Sequence, residues 1–424
     1  MLTSRERIQA ALEHREADRI PLDLGGTNVT GMHVDTVYKL RQALGLDPPG
    51  TPVKLIDPFQ MLGDIKPDLQ EALGIDTAVI LSTGTLFGFK LEGWKEWTTF
   101  SGTPVLVPAG FNTIPEPNGD LLLYPGGDRS ARPSGRMPKG GFYFDVIVRQ
   151  SPLNDRELRV ENNLEEFTPI SAGELEHFGE QARKLYTETD KAIILNLGGL
   201  SLGNVARVPG PALRDPRGIR DLEEWYISLT TRRDYIYEVF ARQNEINLAN
   251  LQKIHQAVGE RATLAYVSGS DFGAQDGPFI SPRMYRDLFF PFHKKINDWV
   301  HQHTSWKTFI HSCGSVMALL EDFITAGFDI FNPVQTSAAN MDPLELKRKF
   351  GDHITFWGGG VDTQHTLPFG TSEDVRREVR QRIRAFGPGA GFVFNGVHNI
   401  QALVPVENVL AMYETAREYG RYPL

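Results

Sequence analysis

The run Lys307-Thr308-Phe309-Ile310-His311-Ser312-Cys313-Gly314 decides the fold. Its first half is a short apolar strand. Gly314 then opens a helical pattern over 315–326 that leads to a further strand at Ile330-Phe331. The same alternation recurs in both directions. Upstream lie a strand over 192–197 ending Asn196-Leu197-Gly198-Gly199, helices over 218–229 and 234–258, a strand over 263–267 and a helix over 281–303. Downstream, Asp342-Pro343-Leu344-Glu345 places a cap, an N1 proline and an N3 glutamate at a helix start. A strand over 354–357, a helix over 372–386, a strand over 392–394 and a helix over 405–418 follow. Nearer the N-terminus, helices are expected over 4–14, 34–44 and, in two pieces, 57–73, with strands over 18–26 and 76–81. About eight strand–helix units imply a parallel sheet closed into a (β/α)8 TIM barrel, an α/β fold. An open doubly wound sheet is the alternative, but no Gly-x-Gly-x-x-Gly follows the first strand.

The 424 residues, 41% hydrophobic and 23% charged, have the composition of a globular protein able to bury a large core. A single barrel domain over 1–424 accounts for them if it carries an insertion. Over 87–150 the helical period vanishes, and aromatic and Thr/Val alternation is broken by Gly-Thr-Pro, Pro-Asn-Gly-Asp and Pro-Gly-Gly-Asp. That texture predicts a β-hairpin-rich insertion. Its aromatics (Phe87, Phe89, Trp94, Trp97, Phe142, Tyr143, Phe144) suit a lid or a homodimer seam. A net charge of −9 without a dense Lys/Arg cluster argues against nucleic acid as a partner. No apolar run approaches the roughly 18 residues of a membrane span. The start has no apolar leader, and Thr3 with Glu6 reads as a capping box. One cysteine cannot form an internal disulfide and fits a reducing cytoplasm. A cytoplasmic enzyme is the expectation.

In such a barrel the chemistry collects where strands end. Those positions read Asp23, Asn196, Asp271, His311 with Cys313, Gln335, Asp362 and His398, whereas the strand interiors are almost wholly apolar. Residues i and i+2 of an extended segment point the same way, so His311 and Cys313 can bring an imidazole and a thiolate to one point, a pair suited to zinc. The plainer reading is a buried free cysteine beside a core histidine. A catalytic zinc needs at least one more protein ligand and an open position. With no second cysteine, that ligand is nitrogen or oxygen. His398, in Phe394-Asn395-Gly396-Val397-His398-Asn399-Ile400, is the first candidate. Gln335, in Asn332-Pro333-Val334-Gln335, offers a weak oxygen ligand or a substrate contact, or caps the next turn. Asp271, in Ser270-Asp271-Phe272-Gly273, suits general acid/base work or satisfies loop N–H groups. Asp23, just before Gly25-Gly26, has the same two readings. Gly358-Gly359-Gly360 could admit a phosphate or the flat face of a cofactor, while His293, His301 and His303 read as surface residues.

Several runs together resemble the uroporphyrinogen decarboxylase superfamily. They are Arg5-Glu6-Arg7-Ile8-Gln9-Ala10-Ala11-Leu12 before Asp18-Arg19-Ile20-Pro21, Gly269-Ser270-Asp271-Phe272-Gly273 leading into Gly277-Pro278-Phe279-Ile280-Ser281-Pro282, His311-Ser312-Cys313-Gly314, Gly327-Phe328-Asp329 and Pro405-Val406-Glu407-Asn408-Val409. The resemblance implies a (β/α)8 barrel and one of two activities. The decarboxylases act on a polyanionic tetrapyrrole without metal, using arginines of the N-terminal segment and a central aspartate. This chain has Ile20-Pro21-Leu22-Asp23-Leu24-Gly25 where those arginines would stand, and Ala78-Val79-Ile80-Leu81-Ser82-Thr83 lacks the aspartate. In the methyltransferase branch a His-x-Cys pair and a later cysteine hold zinc. Here His311 and Cys313 match, and His398-Asn399 stands where the later cysteine would fall.

The expectation is a zinc-dependent methyltransferase, with zinc on His311, Cys313 and His398. It would move a methyl group from a small methoxylated or methylated substrate to the cobalamin of a separate corrinoid protein. Asp271 and Gln335 would orient or protonate the substrate. The rival expectation is a metal-free decarboxylase of a carboxylated pyrrole or related acid, with Asp23 or Asp271 stabilising positive charge.

Overall fold

The computed structural model describes residues 2–197 and 200–424; the Gly198-Gly199 end of the 192–197 strand lies outside them. Seven parallel strands stand side by side in chain order: Thr77–Ile80, Ala192–Asn196, Leu264–Ser268, Lys307–His311, Ile330–Asn332, Thr355–Trp357 and Phe392–Val393. Spatial order equals chain order because each strand returns through helical crossovers to pair beside its predecessor. Alternation sorts the side chains. Ala192, Ile194, Leu264, Tyr266, Phe309, Ile330, Trp357 and Val393 form one buried cluster in the lumen. The intervening Ile193, Leu195, Ala265, Val267 and Ile310 pack outward into the larger core shared with the helices. Burying a lumen side chain the size of Ile194 or Phe309 contributes about 1.5–3 kcal/mol.

The gap between the last and first of these strands is filled by the 20–24 segment, which is the eighth stave. Phe394 N donates to Pro21 O (2.9 Å), Asp23 N to Phe394 O (2.9 Å) and Asp76 N to Leu22 O (2.8 Å). The carboxylate of Asp76 locks the same seam. Its oxygens accept from Leu22 N (2.8 Å), Arg7 Nη1 (2.6 Å) and Arg19 Nη1 (2.7 Å), and the side chain is wholly buried. Helix Ser4–Leu12 plugs this end, with Ile8, Ala11 and Leu12 joining the lumen cluster. The Thr3–Glu6 capping box starts that helix, and Asp342 caps Pro343–Phe350 by accepting from Glu345 N. The opposite end of the barrel is left open. No helix among the described residues is long and apolar enough to cross a membrane.

Two regions depart from expectation. Of the 57–73 stretch expected to be helical in two pieces, only Pro67–Leu73 is helix; Leu62–Gly63 instead pairs antiparallel with Val53–Asp57, a strand that was not expected and that also pairs parallel with Pro104–Val107. Partners across the sheet override a weak local helical pattern. The expected 281–303 helix breaks into Pro282–Leu288 and Phe290–His303, where Pro291 starts a new first turn. His293, read as a surface residue, is buried there with Nδ1 2.9 Å from Tyr285 Oη.

Lys95–Thr98 and Pro104–Val107 form one hairpin of the β-rich region, and Leu121–Leu123, Gly135–Met137 and Asp145–Val146 a second small sheet. Phe87, Phe111 and Phe144 are its buried core, with Phe111 and Phe144 edge to face at 5.9 Å. Phe87, Phe89 and Phe144 are therefore internal packing, unavailable to a dimer seam.

Candidate metal centre

His311 closes the Lys307–His311 strand, and Cys313 follows on the loop that leaves it. The Cys313 sulfur lies 3.4 Å from His311 Nε2, and the ligand atoms of His311, Cys313 and His398 all lie within 4.8 Å of one another. The two imidazoles meet edge to face with centroids 5.4 Å apart. His398 leaves the last strand, three staves along, so its loop must lean inward. The glycine run 358–360 permits this. A Cβ at Gly360 would lie 2.3 Å from the Phe394 ring, and one at Gly359, itself at φ +77°, would lie 2.8 Å from Val334. Gly360 N donates to Asn395 O (2.8 Å) and Val397 N to Val361 O (3.0 Å), fixing the turn that carries His398. The run is thus a packing device between loops, not the phosphate or cofactor cradle its sequence suggested.

Second contacts set the chemistry of each candidate ligand. Asn332, the last residue of its strand, donates Nδ2 to Trp357 O (2.8 Å), so its Oδ1 faces His311 Nδ1 at 2.6 Å. His311 must donate from Nδ1, which leaves the Nε2 lone pair toward Cys313 and His398. Burial pushes both imidazoles down, His311 to about 4 and His398 to about 4 with His311 as its next cause, so both are neutral near pH 7. Burial also pushes the Cys313 thiol and the Asp271 carboxyl up. Asp271 Oδ1 accepts from Cys313 N (2.8 Å) and lies 3.8 Å from His311 Nε2.

Two neutral imidazoles and one thiol gathered in this way fit zinc. Tetrahedral Zn–N and Zn–S bonds of about 2.0–2.3 Å put neighbouring ligand atoms roughly 3.3–3.7 Å apart, the range in which the sulfur and Nε2 already stand. His311, His398 and Asp271 line a cavity of about 740 Å³, so a fourth position would face open space. Its other walls combine apolar residues such as Ile56, Leu62, Leu81 and Val148 with polar ones, among them Asn196, Arg207, Tyr266 and the carboxylates of Asp57, Asp145, Glu166 and Glu174. Asn196 presents a buried Oδ1 with no partner among the described residues.

Three strand-end candidates are not brought to the cavity. Asp23 is wholly buried in the lumen, where Oδ1 accepts from Thr77 Oγ1 (2.5 Å) and Gly26 N (3.0 Å) and Oδ2 from Trp357 Nε1 (2.8 Å). With its acceptors occupied it holds the lumen together. Gln335 is equally committed: Oε1 accepts from Gly314 N (2.8 Å) and Nε2 donates to Gln275 Oε1 (3.1 Å). It braces the Cys313 loop. Asp362 caps its own loop at Gln364 N (2.6 Å). Asn332 and Arg207 were missed. Asn332 ends its strand three residues before Gln335 and was legible as such; Arg207 sits in a loop without any motif.

Residues 251–419 match the family model for uroporphyrinogen decarboxylase (URO-D), a span that contains Asp271, His311, Cys313 and His398. A uroporphyrinogen decarboxylase of Trichodesmium erythraeum is 25% identical over 289 residues, 66% of this chain and 74% of that protein. One of Anaeromyxobacter dehalogenans is 28% identical over 139 residues, 32% of this chain and 36% of that protein. A methyltransferase from Methanosarcina mazei has the same fold, with TM-score 0.56 and 15% identity over 99% of both chains.

Proposed function

We propose that this chain, which carries a URO-D family domain, is a zinc-dependent methyltransferase. It would take the methyl group of a small methoxylated or methylated compound and pass it to a separate corrinoid protein. The observation that carries the reading is the convergence of two imidazole nitrogens and one sulfur at a cavity wall, with the His311 tautomer fixed by Asn332. Zinc held by His311, Cys313 and His398 would supply a Lewis acid of net positive charge, which favours release of an oxygen leaving group over activation of a thiol.

The chain's own residues do the rest. Asn332 keeps Nε2 of His311 unprotonated. Asp271, its carboxyl pushed up by burial, stands beside the ligand cluster, where it would give a proton to the oxygen left when the methyl bond breaks with its electron pair retained. The apolar wall residues would exclude competing water from the reacting bond. Phe279 and Leu403, on loops beyond the strands' carboxyl ends, and Phe369, at the end of the short helix Thr366–Phe369, are exposed apolar residues that would offer surface to a partner protein.

Metal-free decarboxylation of a carboxylated pyrrole or related acid is the second reading, favoured by the names of the curated relatives. Elemental mass spectrometry of the purified protein, beside Cys313→Ala and His398→Ala, separates the two. Near-stoichiometric zinc lost from both variants, with methyl transfer followed by the corrinoid's absorbance, is expected. Freshly prepared wild type without zinc would sink the methyltransferase reading.

A further inference from the structure

Among the described residues, the cavity holds one arginine whose guanidinium has no direct partner. Arg207 lines it, yet among the described residues its guanidinium donates to no acceptor and no carboxylate stands within ion-pair distance. The fully buried arginines behave otherwise. Arg7 is held by Asp18 and Asp76, Arg41 by Asp47 and Asp68, and Arg220 by Glu166, while Arg149 donates to the Gly210 and Arg214 carbonyls. An unanswered guanidinium in a poorly solvated place is costly, and the fold keeps it there with care. Arg207 N donates to Asn204 O (2.9 Å), and Asn204 Nδ2 donates to Gly269 O (2.6 Å), tying the loop to the strand that carries Tyr266.

Glu166 and Asp57 line the same cavity and act on Arg207 through charge alone, each having an oxygen bonded elsewhere. Glu166 accepts from Arg220 (2.9 Å), and Asp57 Oδ1 accepts from Phe59 N (2.9 Å) and Gln60 N (3.1 Å). Tyr266 lines the same cavity as Arg207, Asp271, His311 and His398.

We propose that the substrate is a small organic acid, its carboxylate seated on Arg207 and its methyl-bearing heteroatom directed to the His311–Cys313–His398 cluster. The identity of that heteroatom rests on the methyltransferase reading, but the carboxylate site does not. A planar guanidinium suits a carboxylate because it can donate two parallel N–H bonds. The apolar wall residues and a volume of about 740 Å³ leave room for a ring between the two ends.

The test is a calorimetric titration with 3-methoxybenzoate and its neutral isostere 3-methoxybenzamide. The proteins are wild type, Arg207→Gln, Arg207→Lys and Cys313→Ala, with zinc content measured on the same preparations. Wild type should bind the acid at least about tenfold more tightly than the amide. The preference should fall to about twofold or less in Arg207→Gln, survive in large part in Arg207→Lys, and persist in Cys313→Ala because the anchor stands apart from the ligands. Equal affinity for acid and amide, no acid binding by wild type up to about 10 mM, or a preference that survives Arg207→Gln overturns the proposal. Zinc without acid preference sinks this inference alone. Acid preference without zinc sinks the methyltransferase reading alone and leaves an acid-binding cavity of the decarboxylase kind.

Discussion

The two ends of the barrel each gather buried ionisable groups and treat them in opposite ways. At the plugged end, Asp76 is wholly buried and answered by two arginines and the Leu22 amide. At the open end, His311, Cys313 and His398 are drawn together and left neutral, with a cavity before them. Completed networks secure a fold; incomplete ones mark a place where something else must bind. Carboxyl ends of barrel strands serve chemistry and amino ends serve stability, and here that division can be followed atom by atom.

The comparison can be broken at either end. The largest effect should come from stripping metal with a chelator. Methyl transfer should fall by about a thousandfold while far-ultraviolet circular dichroism and the denaturation midpoint hold, because a Lewis acid supplies several kcal/mol to the reaction but the site is not part of the fold's closure. Retained activity after verified metal loss would erase the distinction between the ends.

Asp76→Ala attacks the opposite end. Leaving Arg7 and Arg19 without their shared anion should cost about 3–5 kcal/mol in urea unfolding, with zinc per folded molecule unchanged. A small loss would mean the seam is held by its backbone bonds alone.

The subtlest change is Asn332→Ala, which removes only the group that fixes the His311 tautomer. Zinc affinity should weaken by about 10–100-fold in competition with a chromogenic chelator, while stability moves by roughly 1–2 kcal/mol. An unchanged affinity would show that strand geometry alone orients the ring.

Much of the frame was readable because strands buried on both faces are continuous apolar runs, and eight of them recur at the right spacing. The ends of helices were readable where a cap states itself, as at Thr3 with Glu6 or at Asp342 with Pro343. Position at a strand end was enough to pick out His311, Cys313, His398 and Asp271. It was not enough to say which way a side chain turns. Asp23 faces Trp357 and Thr77 inside the lumen, and Gln335 faces the Gly314 amide; both answers depend on neighbours far away in the chain. Val53–Asp57 was lost for the same reason, since the partner that makes it a strand lies some fifty residues downstream. Arg207 announces itself only by lacking a counter-ion, a property no local pattern records.

The parallel pairing of Val53–Asp57 with Pro104–Val107 has a consequence for how the chain can be cut. The stretch over 87–150 looks like a cassette added between two barrel strands, yet one of its strands is stitched to a piece of chain that precedes the first of them. Excising the cassette would strip Val53–Asp57 of its neighbour and expose a row of unpaired backbone groups, a template for self-association. The two pieces have to be gained, lost or transplanted together.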